Sequence, residues 1–207
     1  MEKKIIFLYR HGETDWNVKD ITLGQLENVQ TKFTKNGLEQ LNEIKNNIYL
    51  NGAEIIYTSD FNRTVDTGKY IADSLGLPII SSKSFRGLNM GVYQGRPFID
   101  FISSSEVKKS LDNHNIPFED GESINDLNKR YLSSLKDICI NSNYKKIAII
   151  SHSAAISNLK SSITNEPYQS LRMCVLTYEN NIFKVIDTVP AKNSNKKLVI
   201  VKNDVIK

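Results

Sequence analysis

The chain has 207 residues, 40% of them hydrophobic and 24% charged, enough for one domain that buries a core without disulfides or a structural metal. Its net charge of +4 comes from scattered lysines, a balance that suits anionic small molecules and forms no basic stripe for nucleic acid. No run approaches the ~20 apolar residues that span a bilayer. The charged start Met1-Glu2-Lys3-Lys4 is followed by an apolar run too short for a signal peptide. Cys139 and Cys174 lack CxxC spacing and read as buried free thiols in a reducing compartment, so the expected location is the cytoplasm.

Ile5 to Tyr9 reads as a buried strand that ends in Arg10-His11. Thr14 or Asp15 can cap a short helix with Trp16 as a core anchor, and the polar stretch from about Val18 to Lys32 reads as a loop. Thr34 to Gly37 opens a helix with Leu38, Leu41, Ile44 and Ile48 on one face, stopped by Asn51-Gly52. A second strand, Glu54 to Ser59, precedes a helix from about Asn62 to Leu75, and Ile79-Ile80 starts a short strand. Ser84 to Pro97 is a structured loop holding Gly87, Gly91 and Gly95. A polar, helical insertion follows to about Phe118, and Ser123 to Cys139 forms an amphipathic helix with Ile124, Leu127, Tyr131, Leu135 and Ile138 facing inward. Lys146 to Ser151 is a third strong strand, ended by His152, and a helix from Ala154 to Ile163 lies behind it. Met173 to Tyr178 and Ile182 to Ile186 read as a hairpin, and Leu198 to Val201 as an added edge strand. The alternation of strand and helix predicts an α/β fold, a three-layer, mostly parallel sheet with helices on both faces. One domain over 1–207 is expected, with a cap-like insertion at about 96–120.

Three strands therefore end in Arg10-His11, in Ser59 with Arg63 just beyond, and in His152. The carboxyl ends of parallel strands form the ligand crevice of such sheets, so two imidazoles and two guanidiniums are expected to meet there. Two Arg forks can hold the equatorial oxygens of a phosphoryl group. One neutral imidazole can attack phosphorus while the other, protonated, stabilises the charge that develops. The alternative, a merely polar strand end, must explain two histidines at two strand ends. No HxH or HExxH spacing suggests zinc, so no metal and no cofactor are expected.

These residues resemble a known family. Arg10-His11-Gly12-Glu13-Thr14 with Trp16-Asn17 is similar to the signature of the histidine phosphatase superfamily, also called phosphoglycerate-mutase-like. Gly24-Gln25-Leu26, Phe33 to Gly37, Thr58 to Thr64 with Thr67, Arg86 with Gly91 and Gly95, Gly121-Glu122-Ser123 and Ser151-His152 extend the resemblance over roughly Ile5 to Leu159. It implies a phosphoglycerate-mutase-like fold and a phosphatase acting through phosphohistidine on a small phosphorylated metabolite. His11 would be the nucleophile, and Arg10, Arg63 and His152 would bind the phosphoryl group. Asn17, Gly24, Gln25, Arg86 and Ser153 would serve substrate binding. The implied partner is a small phosphate ester or free phosphate, with no nucleic acid and no membrane; a homodimer is left open.

The chain departs from the pattern at the proton donor. Members of that family carry a glutamate directly after the arginine of the Arg86 position, and it protonates the leaving oxygen; here Gly87 stands there, and Gln94 replaces a second carboxylate. No Asp or Glu occurs between Asp73 and Asp100. Glu13, Glu119, Asp120 and Glu122 are candidate substitutes. The gap gives one alternative, a phospho-ligand binding or regulatory protein without turnover; a phosphoglycerate mutase, which would depend on the same glutamate, is the other reading within the family.

Overall fold

The computed structural model describes residues 2–26, 29–191 and 196–201. One six-stranded sheet, ordered β3-β2-β4-β1-β5-β6, carries the chain. β1 (Lys4–Arg10), β2 (Ile55–Thr58), β3 (Ile79–Ser81) and β4 (Lys146–Ser151) run parallel, and β5 (Leu171–Glu179) and β6 (Ile182–Pro190) add an antiparallel hairpin beside β1. The sheet is mostly parallel, as the alternation predicts. Asn180 and Asn181 both lie at positive φ, 52° and 62°, which gives the two-residue turn the twist the hairpin needs.

Side-chain alternation divides the core in two. Ile5, Phe7 and Tyr9 of β1 face Ile44 and Ile48 of α2 (Lys35–Asn51) and Ile71 and Ala72 of α3 (Asn62–Leu75). Ile6 and Leu8 face Leu127, Tyr131 and Leu135 of α6 (Ile124–Asn141) and Ile156 and Leu159 of α7 (Ser153–Thr164). Burial on both faces explains why these strands read as unbroken apolar runs. The short α1 (Asp15–Val18) follows β1, and the stretch before α6 holds α4 (Phe98–Ser103), which is mainly apolar rather than polar as expected, and α5 (Ser105–Asp112).

Several expectations need correction. Leu38 is exposed, because the stripe of α2 that meets the sheet is Leu41, Ile44 and Ile48. Trp16 is half-buried within α1 and is no core anchor, and Ile138 packs only partly against its core. Leu198 to Val201 adds no strand. Asn47 and Asn51 on α2 hold this segment by side chains instead: both donate to the Val199 carbonyl, at 3.0 and 2.9 Å, and Val201 N–H donates to Asn51 Oδ1 at 2.7 Å. The remainder of the Lys- and Asn-rich tail, 192–195 and 202–207, lies outside the described residues. Cys139 and Cys174 are buried and unbridged, their thiols pushed up to about 12 by burial.

Candidate active site

The strand register delivers the site. Arg10 pairs with Ser151 and Thr58 with Ile150, so β1, β2 and β4 end level with one another. The chain leaves each strand still tied to β4: His11 N–H donates to the Ser151 carbonyl at 3.0 Å and Ser59 N–H to the Ile150 carbonyl at 3.2 Å. The rings of His11 and His152 consequently lie 5.5 Å apart, edge to face at 67°. Both line a cavity of about 340 Å³ together with Arg10, Arg63, Asn17, Gly24, Gly87 and Ser153.

Hydrogen bonds define the state of each ring. His11 Nδ1 lies 2.7 Å from the Gly12 carbonyl, which can only accept, so Nδ1 carries the proton and Nε2 keeps its lone pair. Burial first, then the Arg63 and Arg10 charges, hold the His11 pKa well below its ordinary value, against the opposing pull of the Gly12 carbonyl. His152 is the end of a hydroxyl relay. Thr64 Oγ1 donates to the Phe61 carbonyl at 2.8 Å, so it must accept from Ser59 Oγ at 2.6 Å, and Ser59 Oγ in turn accepts from His152 Nε2 at 2.9 Å. Neutral His152 therefore protonates next at Nδ1. Its pKa is also held well below the usual value, by burial and then by Arg63, His11 and Arg10. Both imidazoles are thus held neutral.

The arginines differ. Arg63, in the first turn of α3, donates from Nη2 to the Gly24 carbonyl at 2.9 Å, while its buried Nε has no partner among the described residues. Burial and Arg10 lower its pKa to about 10, so it stays a cation at neutral pH. Such an unspent donor on a buried cation points to an anionic ligand. Arg10 is half-buried on the cavity wall. Asn17 Oδ1 accepts from Thr14 N–H at 3.0 Å and Thr14 Oγ1 at 3.1 Å, which leaves Nδ2 to donate. α7 begins at the wall with Ser153 and Ala154, so its first backbone N–H groups add to the anion-binding end.

Other expected binding residues serve the scaffold. Arg86 does not line the cavity; its guanidinium forks the Asp60 carboxylate, both contacts at 2.7 Å, and lies over the Phe61 ring. Gln25 is also off the wall. It donates to the Gly87 carbonyl at 2.8 Å, and its N–H meets the Gln94 side chain. The Ser153 hydroxyl donates to the Leu171 carbonyl at 2.8 Å, tying α7 to β5. None of the candidate substitute acids stands unengaged on the wall. Glu122 accepts from Arg130, Asn89 N–H and Gln25, and Glu119 and Asp120 are exposed away from the cavity. Glu13 lines it, but Thr34 Oγ1 and Asn36 Nδ2 each hold one of its oxygens. A Cβ on Gly87 would lie 3.1 Å from His152 Cγ, so the glycine sits directly against that ring.

The rest of the wall comes from residues the sequence did not single out: Asp20, Ile21, Thr22, Leu23, Leu88, Met90, Phe98, Tyr168 and Ser170. They sit on three separate loops and at the start of α4, with no shared motif. Asp20, at φ +51°, was the one local signal available only from the backbone. Among the described residues no His, Cys, Asp and Glu cluster could hold a metal ion, and no helix is long and apolar enough to cross a membrane.

Residues 6–201 match the histidine phosphatase superfamily (branch 1). A protein of Yersinia pestis named "Probable phosphoglycerate mutase GpmB" is 32% identical over 182 residues, covering 83% of this chain and 82% of its own. A mycobacterial glucosyl-3-phosphoglycerate phosphatase complexed with VO3 shares the fold at a TM-score of 0.76 and 19% identity, over 91% of this chain and 100% of that one. The phosphoserine phosphatase of Entamoeba histolytica, in complex with 3-phosphoglyceric acid, gives 0.74 and 23%, over 93% and 98%. On the match over nearly its whole length, the chain belongs to the histidine phosphatase superfamily.

Proposed function

We propose that the protein is a phosphomonoesterase that works through a phosphohistidine on His11. The observation that carries the reading is the His11 tautomer: Nδ1 is spent on Gly12, so an unprotonated Nε2 stands in a cavity walled by Arg10 and Arg63. The arginine forks and the start of α7 hold the phosphoryl oxygens. Nε2 attacks phosphorus, the ester P–O bond breaks, and the alcohol oxygen leaves with its electron pair. His152 takes a proton at Nδ1 as the dianion arrives and stabilises the charge in transfer. Water then cleaves the N–P bond, and phosphate leaves.

Gly87 supports a specific handicap. General acid catalysis is worth about 10²–10⁴-fold, so esters of good leaving groups, such as aryl phosphates, turn over much faster than alkyl phosphates. The same glycine favours a second reading, a phospho-ligand binder without turnover. Mixing the enzyme with ³²P-labelled aryl phosphate and quenching in alkali separates the two. An alkali-stable, acid-labile label on His11, absent from His11→Ala, is the expected outcome; an unlabelled wild-type protein that still binds phosphate selects the binder. A mutase is the reading the Yersinia relatives' name suggests, and it demands the missing proton donor most.

A further inference from the structure

The cavity is chemically two-ended. At the strand ends stand Arg10, Arg63, His11 and His152; beyond them the wall carries the apolar Ile21, Leu23, Leu88, Met90 and Phe98, with Asp20 beside Phe98 and with Thr22, Tyr168 and Ser170 among its polar members. That adjacency is built in: Phe98 N–H donates to the Asp20 carbonyl at 2.7 Å, and Ile21 bridges to Pro97. Among the described residues the cations on the wall are Arg10 and Arg63, and the phosphoryl group uses both. Arg86, a third arginine nearby in sequence, is committed to Asp60. Among the described residues the Asp20 side chain makes no hydrogen bond or ion pair, and this exposed acidic residue lines the cavity.

We propose that this outer half selects phosphate esters of uncharged, largely apolar alcohols and rejects esters that carry a second anionic group, phosphoglycerates included. A carboxylate on the substrate would lose water against an apolar wall, find no cationic partner and face Asp20. Desolvating an unpaired charge is expensive, and a like charge within reach adds repulsion. An aryl or alkyl group meets instead the surfaces of Phe98, Met90 and Leu88, where burial is favourable. Thr22, whose buried hydroxyl has no partner among the described residues, stands on the same wall.

The proposal rests on the phosphomonoesterase reading for turnover, but selectivity can be read without it. Phenyl phosphate and 4-carboxyphenyl phosphate have leaving phenols of similar acidity, so their kcat/KM ratio reports recognition. The expected ratio is at least about tenfold in favour of phenyl phosphate, and Asp20→Lys narrows it at least about fivefold at low ionic strength. Equal values, a preference for the carboxylated ester, or a ratio that Asp20→Lys leaves unchanged overturn the proposal. If neither ester is hydrolysed, the phosphatase reading fails separately, and the same ratios are then taken from calorimetric dissociation constants of the two esters.

Discussion

At the scale of single residues, the chemistry turns on what His11, His152 and Gly87 can do with protons. His11 needs none removed, because its bond to Gly12 already leaves Nε2 bare. Among the described residues the carboxylates on the wall are Glu13, whose oxygens Thr34 and Asn36 hold, and the exposed Asp20. Gly87→Glu is expected to raise alkyl-phosphate hydrolysis by about 10–10²-fold, below the full value of a general acid. The shortfall has a steric origin, as the new Cβ would sit 3.1 Å from His152 Cγ and the ring must yield by a few tenths of an ångström. Gly87→Ala isolates that cost: it should lower activity on aryl and alkyl esters alike. If Gly87→Glu gains no more on alkyl than on aryl substrates, the missing acid is not what limits the enzyme.

At the scale of elements, the catalytic loop is positioned by close backbone contact with α2. Gly37, in the first turn of α2, sits so near the loop that a Cβ there would come within 2.1 Å of the Glu13 carbonyl oxygen. The Thr34 hydroxyl accepts from Gly37 N–H at 2.9 Å, capping the helix, and donates to Glu13 at 2.6 Å. Alanine is worth about 1 kcal/mol over glycine inside a helix. Here the clash is with backbone, which cannot rotate away, and overpacking typically costs about 1–3 kcal/mol. Gly37→Ala should therefore lower both the melting temperature and kcat; an increase in stability would show that α2 can shift without disturbing Glu13. Gly12→Ala is milder, because its nearest neighbour is the end of the Leu41 side chain. α6 performs the same service for the middle loop: Arg130 donates to the carbonyls of Ser84, Arg86 and Gly87, and Tyr131 to that of Phe85.

At the scale of the whole molecule, two buried imidazoles kept neutral couple stability to pH. Their folded pKa values lie below the unfolded value of about 6.5, so the unfolded chain binds more protons in acid. Above about pH 7 neither state binds them and nothing is lost. As pH falls from about 6.5 the folded state loses ground, by up to about 1.4 kcal/mol per pH unit for each histidine. Melting curves of the ligand-free protein should drop over that range more steeply than those of His11→Gln, and added phosphate should flatten the drop; parallel curves would show that His11 titrates normally. The strands, helices and strand-end histidines were legible because local rules wrote them: unbroken apolar runs on both sheet faces, glycine stops and capping residues. The site motifs were legible as well, since Arg10-His11 and His152 each sit directly at a strand end. Which residues touch a ligand was not. Arg86 was drawn to Asp60, Gln25 to the Gly87 carbonyl, and the tail to Asn47 and Asn51, all contacts between segments distant in sequence. The amino-acid sequence by itself determined the mostly parallel sheet and the histidines and arginines at its strand ends. Only the tertiary structure decided the outer wall, because a cavity bounded by several loops has no periodicity or spacing that one stretch of chain could carry.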